Sequence, residues 1–187
     1  MYIPEHYRRL KRAPQVILPK DIGVILAYTG VNRDSVCVDA GAGSGWLAIS
    51  LARVAKHVTA YEIRDDFIRI AERNRQAERL DNLVIKNGDV TKKIDEVDVD
   101  VVTLDIPNAE SALKNVHQAL KPGGYVAGYL PHMEQVKDFV SGMEKLEFCD
   151  ILTMEIIARD MLVREQGMRP STKGVWHTGY LVFGRKE

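Results

Sequence analysis

Three glycines at alternate positions, Gly41, Gly43 and Gly45, separate a short apolar run from a segment with helical spacing. The apolar run at residues 36–38 predicts a buried strand, and the apolar positions within residues 46–55 predict a helix. Because glycine has no Cβ atom, the backbone between them can turn tightly and approach a ligand closely. The stretch therefore predicts a strand, a ligand-binding turn and a helix.

The spacing of the glycines restricts the kind of ligand. Dinucleotide sites use G-x-G-x-x-G, which brings a pyrophosphate to the N-terminus of the helix. Here the spacing is G-x-G-x-G, with Asp39 before it and Ser44 within it. That arrangement suits a ligand that lacks a phosphate and has a cationic end, and S-adenosylmethionine is such a ligand. An ordinary strand–helix turn is the alternative interpretation of the same glycines.

Two more acids follow predicted strands. Glu62 follows Gly45 at close to the ~20-residue spacing at which an acid meets a ribose in nucleotide-binding α/β folds. Asp89, after the next strand, can accept a hydrogen bond from an adenine amine, with Ile63 and Val90 on the two faces of the ring. Open α/β sheets bind ligands at the carboxyl ends of their strands, so we predict a nucleoside-bearing ligand there. Three solvated loop acids are the alternative.

The pattern along the chain is a regular alternation of strands and helices. Strands are predicted at residues 36–38, 57–62, 83–86, 99–105, 125–130, 149–158 and 177–185, and helices at residues 20–28, 46–55, 65–80, 110–120 and 134–146. Such alternation predicts an α/β fold, with a doubly wound, mostly parallel seven-stranded sheet and helices on both faces. The last two strands, joined by a polar loop, indicate an antiparallel edge strand.

Length and charge set further limits. The 187 residues, 45% of them hydrophobic and with zero net charge, fit one domain, which we place at residues 19–187 after a basic leader at residues 1–18. The leader either faces phosphates or is partly disordered. Two cysteines without C-x-x-C spacing predict buried thiols and no metal site. The chain shows no signal segment or membrane-spanning apolar run, so we predict a cytoplasmic protein.

Three stretches outside the glycine turn point to a family. They are Gln-Val-Ile-Leu-Pro-Lys-Asp-Ile at residues 15–22, Leu-Asp-Ile-Pro at residues 104–107, and Arg-Pro at residues 169–170 followed by His-Thr-Gly-Tyr-Leu at residues 177–181. With the glycine turn, they resemble the class I S-adenosylmethionine-dependent methyltransferases, and within them the tRNA adenine-N1 methyltransferases that modify a T-loop adenosine. The class-level resemblance covers residues 39–130.

The resemblance implies S-adenosylmethionine as cofactor, tRNA as partner and a homo-oligomer, either a tetramer or a dimer. It places Gln15 in the cofactor pocket. Two departures stand out: Leu18 occupies the position of a family tyrosine, and the family's N-terminal β-rich domain is expected to be absent, with a partner protein as its possible replacement. The same-class rivals are an isoaspartyl-type or corrinoid-precursor methyltransferase. A different rival is a non-catalytic subunit that binds cofactor and holds tRNA.

Asp105 is the candidate catalytic residue. Adenine N1 attacks through its own lone pair, and positive charge then spreads to the exocyclic amine. A carboxylate that ends the fourth strand can accept a hydrogen bond from that amine and stabilise the charge. A structural turn acid before Pro107 is the alternative. For tRNA contacts the candidates are Arg8, Arg9, Arg12, Lys20, Arg169 and His177, the last of which could instead be packed or on the surface.

Overall fold

The structure is a computed structural model that describes residues 2–13 and 15–187. The strands are β1 (Val36–Ala40), β2 (His57–Glu62), β3 (Leu83–Asn87), β4 (Val99–Leu104), β5 (Leu120–Leu130), β6 (Cys149–Glu155), β7 (Met161–Arg164), β8 (Gly167–Pro170) and β9 (Tyr180–Arg185). The helices are α1 (Glu5–Arg8), α2 (Pro19–Thr29), α3 (Trp46–Ala52), α4 (Asp65–Ala77), α5 (Leu113–Ala119) and α6 (Met133–Lys145), with a 3₁₀ turn at Ala109–Ala112. Within these residues, no helix is long and apolar enough to cross a membrane.

Seven strands form the main sheet of the described chain, in the order β3-β2-β1-β4-β5-β9-β6. The strands from β3 to β5 pair in parallel, and β9 runs antiparallel between β5 and β6. This confirms the predicted mostly parallel seven-stranded sheet. The antiparallel strand lies one position in from the edge, however, because β6 pairs outside it and runs in the same direction as β5.

The strand registers show which ends meet. Leu104 of β4 is level with Gly128 of β5, and Tyr180 of β9 is level with both Leu130 and Glu155. The carboxyl ends of β1 to β6 therefore share one edge of the sheet, and β9 begins there. Asp39 and Glu62 lie in the last residues of strands that end at this edge, and the glycine turn, Asp89 and Asp105 follow such strands.

The segment between β6 and β9 is not the simple polar loop that the sequence predicted, because β7 and β8 pair within it as a separate antiparallel hairpin. Cross-strand partners share a face, so Met161, Val163 and Met168 lie on one exposed face. Arg164 and Arg169 lie on the other. The apolar residues face away from the core, so their pattern gave no signal of a strand packed on it.

The N-terminal residues pack on the sheet layers. The Tyr7 ring stacks on Trp46 at 4.9 Å between centroids, and its hydroxyl is 2.6 Å from Ser50 Oγ. The buried Asn74 side chain accepts a hydrogen bond from Lys11 N–H at 2.8 Å and donates one to its carbonyl. The residues of the predicted leader thus contribute side chains to the core rather than lying apart from it.

This packing predicts a stability difference between two tyrosines of the N-terminal segment. Tyr7 is 5% exposed and Tyr2 is 69% exposed. We expect Tyr7→Ala to lower the free energy of unfolding by about 3–5 kcal/mol, because it leaves a cavity against Trp46. Tyr2→Ala, the matched control, should change it by less than about 0.5 kcal/mol. Urea denaturation followed by circular dichroism measures both, and equal effects would contradict the packing.

Candidate active site

The glycine turn is held against the end of β4. Gly41 has a φ of 84°, and a Cβ atom there would overlap the carbonyl oxygen of Asp105. The backbone N–H of Asp105 donates to Ala40 O at 2.8 Å. Only glycine meets both the left-handed conformation and the close approach. The turn and the predicted catalytic acid are therefore in direct contact.

Glu62 reaches into the same turn. Its side chain is buried, and Oε2 accepts a hydrogen bond from the N–H of Gly43 at 2.8 Å. Oε1 accepts hydrogen bonds from the N–H groups of Ile63 and Arg64 at 3.0 and 3.1 Å. Ile63 itself is 64% exposed, which leaves an apolar side chain open to contact beside the acid. Glu62 thus supports the turn, and a carboxylate has acceptor sites left for hydroxyl donors.

Asp39 lies at the end of β1 beneath the turn. It is buried, and Oδ1 accepts a hydrogen bond from Thr103 Oγ1 at 2.6 Å. Burial raises the pKa of the Asp39 carboxyl to about 6, against the opposing effect of the threonine hydroxyl. The charge of Glu62 adds to the increase.

Asp105 is the partly buried acid at the end of β4. Burial raises the pKa of its carboxyl to about 7, and the charges of Asp39 and Glu62 add to the increase. Neighbouring carboxylates thus disfavour ionisation of Asp39 and Asp105 at the glycine turn. A cationic ligand would relieve this repulsion and favour the ionised forms.

A cleft lies over the turn. Its lining residues are Gln15, Val16, Ile17, Asp39, Gly41, Ala42, Gly43, Ser44, Trp46, Leu47 and Asp105. Within the described chain, Ser44 Oγ and Trp46 Nε1 are buried without a hydrogen-bond partner. Buried polar atoms are normally paired, so two orphaned groups beside a glycine turn fit a polar ligand that supplies the missing partners. These polar groups and the close backbone of the glycine turn suit S-adenosylmethionine, and the cofactor contacts of Gln15, Ser44 and the glycines stay predictions.

The acid predicted to meet adenine lies outside this lining, at the end of β3. Asp89 Oδ1 accepts hydrogen bonds from the N–H and the hydroxyl of Thr91 at 3.0 and 2.6 Å. The Thr91 hydroxyl is the main reason why the pKa of Asp89 lies below its usual value. Val90 is buried in the core. Both residues lie at the same sheet edge as the cleft, and their contact with a ligand stays a prediction.

Lys20 does not lie where a phosphate contact requires it. Its side chain is 8% exposed, and its ammonium group is paired with Asp21 at 2.7 Å. It also donates to Ile156 O and to Thr178 Oγ1 at 2.6 and 2.7 Å. An ammonium group has three N–H donors, and these bonds use all of them. The prediction of Lys20 as a tRNA contact is therefore wrong for this structure.

His177 is held by both ring nitrogens. Nδ1 is 2.6 Å from Glu155 Oε1, and Nε2 is 3.1 Å from Pro131 O. Both partners are acceptors, so the doubly protonated imidazolium fits best. The hydrogen bond to Glu155 is the main cause that raises the pKa of His177. The ring lies at the carboxyl edge, and a tRNA contact would have to use its face.

The remaining predicted tRNA contacts are on the surface. Arg8 Nε donates to Ile3 O at 2.7 Å, and Arg9 pairs with Glu5 at 2.6 Å. Arg12 is exposed next to the N-terminal helix, and Arg169 is exposed on the hairpin. The structure therefore separates these arginines into two groups, one at the N-terminus and one on β8.

Sequence reasoning missed several residues of the site region. Trp46 lines the cleft, and a tryptophan directly after a glycine turn, whose N–H needs a partner, was the available signal. Asp21, Thr178 and Tyr129 form a buried polar network with Lys20. No sequence spacing joins residues so far apart in the chain, so only the fold could show it.

Comparison with known proteins gives the family. A family model described as the tRNA methyltransferase complex GCD14 subunit matches residues 3–174. The chain belongs to this family.

Similar proteins and solved structures include tRNA adenine-N1 methyltransferases. The chain is 36% identical to the tRNA (adenine(57)-N(1)/adenine(58)-N(1))-methyltransferase TrmI of Methanocaldococcus jannaschii, over 95% of this chain and 74% of that protein. The crystal structure of the tRNA (m1A58) methyltransferase TrmI from Aquifex aeolicus superposes with a TM-score of 0.89 at 29% identity, covering 96% of this chain and 73% of that one.

A further structural neighbour is a SAM-dependent O-methyltransferase from Thermotoga maritima, with a TM-score of 0.92 at 32% identity over 97% of this chain and 70% of that one. Together these structures confirm that this GCD14-family chain has the Rossmann-like methyltransferase fold.

The raised pKa of Asp105 predicts a pH-dependent stability difference. A carboxyl whose pKa rises from 3.8 to about 7 on folding binds more protons in the folded state between those values. Its contribution therefore becomes less favourable as pH increases through that window. We expect Asp105→Asn to match wild type near pH 4 and to be more stable at pH 8, by at most about 4 kcal/mol.

Urea unfolding at both pH values measures the effect. The exposed Asp138 on α6 provides the control, Asp138→Asn, which should show no such pH-dependent gain. Equal stability of wild type and Asp105→Asn at pH 8 would contradict a pKa of Asp105 raised by burial and by neighbouring carboxylates.

Proposed function

We propose that this chain is an S-adenosylmethionine-dependent methyltransferase that methylates N1 of an adenosine in the T-loop of tRNA. The observation that carries the proposal is the direct contact between the glycine turn and Asp105. It brings the carboxylate suited to an acceptor base next to the cleft suited to the cofactor. The family and the TrmI relatives support the same reaction.

The cofactor would be held by residues of the turn and the neighbouring strand ends. Ser44 Oγ and Trp46 Nε1 offer hydrogen-bonding groups that have no partner among the residues the structure describes. In this proposal Glu62, which already accepts the N–H of Gly43, also accepts ribose hydroxyls, and the exposed side chain of Ile63 covers one adenine face. When bound, S-adenosylmethionine supplies an electrophilic methyl group on a sulfonium centre. The surrounding carboxylates favour that positive charge.

Asp105 acts on the acceptor base. Its carboxylate accepts a hydrogen bond from the exocyclic amine of adenine and stabilises the positive charge that grows there during the reaction. Since its carboxyl is poised at a pKa of about 7 without a ligand, a nearby cation would lower that pKa and keep it ionised. In a site closed to water, a single contact of this kind is worth about 3–4 kcal/mol.

The tRNA would meet the carboxyl edge of the sheet. The hairpin leaves that edge between β6 and β9, and its basic face carries Arg164 and Arg169. These guanidinium groups suit backbone phosphates. Such contacts would offset the few kcal/mol needed to turn the target adenine out of its stack. Assembly into a homo-oligomer, and a partner protein beside the chain, stay predictions.

The first test of this function is a nucleoside analysis. Wild-type protein is incubated with unmodified tRNA and labelled S-adenosylmethionine, and the tRNA is then digested. We expect the label in 1-methyladenosine. Label in another base would reject adenine N1 as the target, and no label in tRNA would reject the proposal and favour a small-molecule or protein substrate.

The role of Asp105 has its own test. We expect Asp105→Ala to reduce turnover at least about a hundredfold while calorimetry gives an S-adenosylmethionine affinity within about threefold of wild type. Asp138→Ala, on the exposed side of α6, serves as control and should retain full turnover. Unchanged turnover of Asp105→Ala would leave the carboxylate without a part in the reaction.

The basic face of the hairpin predicts a salt-dependent effect. We expect Arg169→Gln to raise the KM for tRNA. It should also reduce the slope of the logarithm of the binding constant against the logarithm of the salt concentration by about 1, because it removes one phosphate contact. Arg33, exposed in the loop before β1 at the opposite edge of the sheet, provides the control. Filter binding at several salt concentrations measures both variants, and identical slopes for Arg169→Gln and Arg33→Gln would reject the contact.

A further inference from the structure

A closed polar network lies between α2 and the start of β9. Lys20 and Asp21, the second and third residues of α2, form an ion pair whose side chains are 8% and 0% exposed. The Thr178 hydroxyl accepts from Lys20 at 2.7 Å and donates to Asp21 Oδ2 at 2.9 Å. The third Lys20 bond ends on the carbonyl of Ile156, just after β6. We call Lys20, Asp21, Thr178 and this carbonyl the Lys20 network.

The network continues to β5. The Tyr129 hydroxyl donates to the carbonyl of Thr178 at 2.6 Å. A Cβ atom on Gly179 would lie 2.8 Å from the Tyr129 ring, so only glycine lets the segment pack so closely on it. Thr178 thus contacts α2 through its side chain and Tyr129 through its backbone carbonyl.

The position of the network relates it to the site. Gln15, Val16 and Ile17 line the cleft, and the chain runs from them directly into α2 and Lys20. On the other side, Leu104 of β4 is level with Gly128 of β5, so Asp105 and Tyr129 follow at neighbouring positions of adjacent strands. The network is therefore joined along the chain to residues that line the cleft, and through Tyr129 to the strand position beside Asp105.

Its energetics argue for a geometric role. A buried ion pair gains little over a well-packed apolar pair, because both charges lose their hydration. The charged pair instead makes directional hydrogen bonds. The three N–H bonds of Lys20 and the two carboxylate oxygens of Asp21 fix the relative positions of α2, β6 and the segment before β9. An apolar pair would fill the same volume without that constraint.

We propose that Lys20 and Asp21 are positioning residues, which fix the segment 177–179 and Tyr129 as a wall of the acceptor pocket beside Asp105. This inference rests on the proposed function. Under this inference, Lys20 orients the acceptor pocket and does not bind a tRNA phosphate. The network acts on placement of the adenosine and leaves cofactor binding to the glycine turn.

The test replaces the ion pair by an apolar pair, Lys20→Met with Asp21→Leu, so that no buried charge is left unpaired. We expect a folded protein with an S-adenosylmethionine affinity within about threefold of wild type. Turnover on tRNA should fall about tenfold or more, because the acceptor base is misplaced. Lys145→Met, at the exposed end of α6, is the control and should keep wild-type turnover.

A second pair of variants separates positioning from packing. Thr178→Ser keeps the hydroxyl and should keep turnover within about twofold of wild type, whereas Thr178→Val keeps the volume and should lose about tenfold. Full turnover in both the apolar-pair variant and Thr178→Val would overturn the proposal. So would an equal loss of cofactor affinity and turnover, since the network would then support the cofactor side.

Hydrogen exchange on the ligand-free 187-residue chain gives a readout that needs no substrate. In the apolar-pair variant, the amides of residues 177–180 should exchange at least about tenfold faster, while those of β1 and α3 stay unchanged. Unchanged exchange at residues 177–180 would overturn the anchoring. If wild type makes no 1-methyladenosine, the proposed function fails, and this exchange measurement still decides whether the network holds the segment.

Discussion

The close approach of Gly41 to the end of β4 is the contact on which the site depends. Without a side chain at Gly41, the turn after β1 lies directly on the backbone of Asp105. A single Cβ atom would force β1 and β4 apart at their carboxyl ends. The same contact joins the two halves of the proposed chemistry, because cofactor and acceptor groups then share one wall. Glu62 reinforces it from the neighbouring strand by accepting the N–H of Gly43.

That closeness has an electrostatic consequence. Burial raises the cost of ionising Asp39 and Asp105, and the charge of Glu62 beside the turn raises that cost further. Asp39 and Asp105 therefore lower the stability of the ligand-free chain as pH increases, and a cationic ligand would reduce the charge repulsion around them. Such a group of carboxylates favours a positively charged ligand. The same reasoning separates it from phosphate-binding turns, where carboxylates would repel the ligand.

The sequence predicted most of the scaffold, because its signals were local. Strand β2 matched its prediction at both ends, and α2 differed by one residue at each end, since Pro19 begins it and Gly30 ends it. The hairpin of β7 and β8 escaped prediction because the apolar residues Met161, Val163 and Met168 are exposed instead of packing in the core. Lys20 was assigned to a phosphate because a basic residue near other basic residues is usually exposed, and only its partners across the chain reveal its burial.

The sequence by itself determined the alternation of strands and helices, the glycine turn and the acids that follow successive strands, since each is written in neighbouring residues. The tertiary structure alone decided which groups meet: Tyr7 with Trp46, Asp105 with Gly41, and Lys20 with Thr178. Contacts between residues far apart in the chain depend on how strands order themselves in the sheet. That order is set by packing of the whole core, which no local pattern contains.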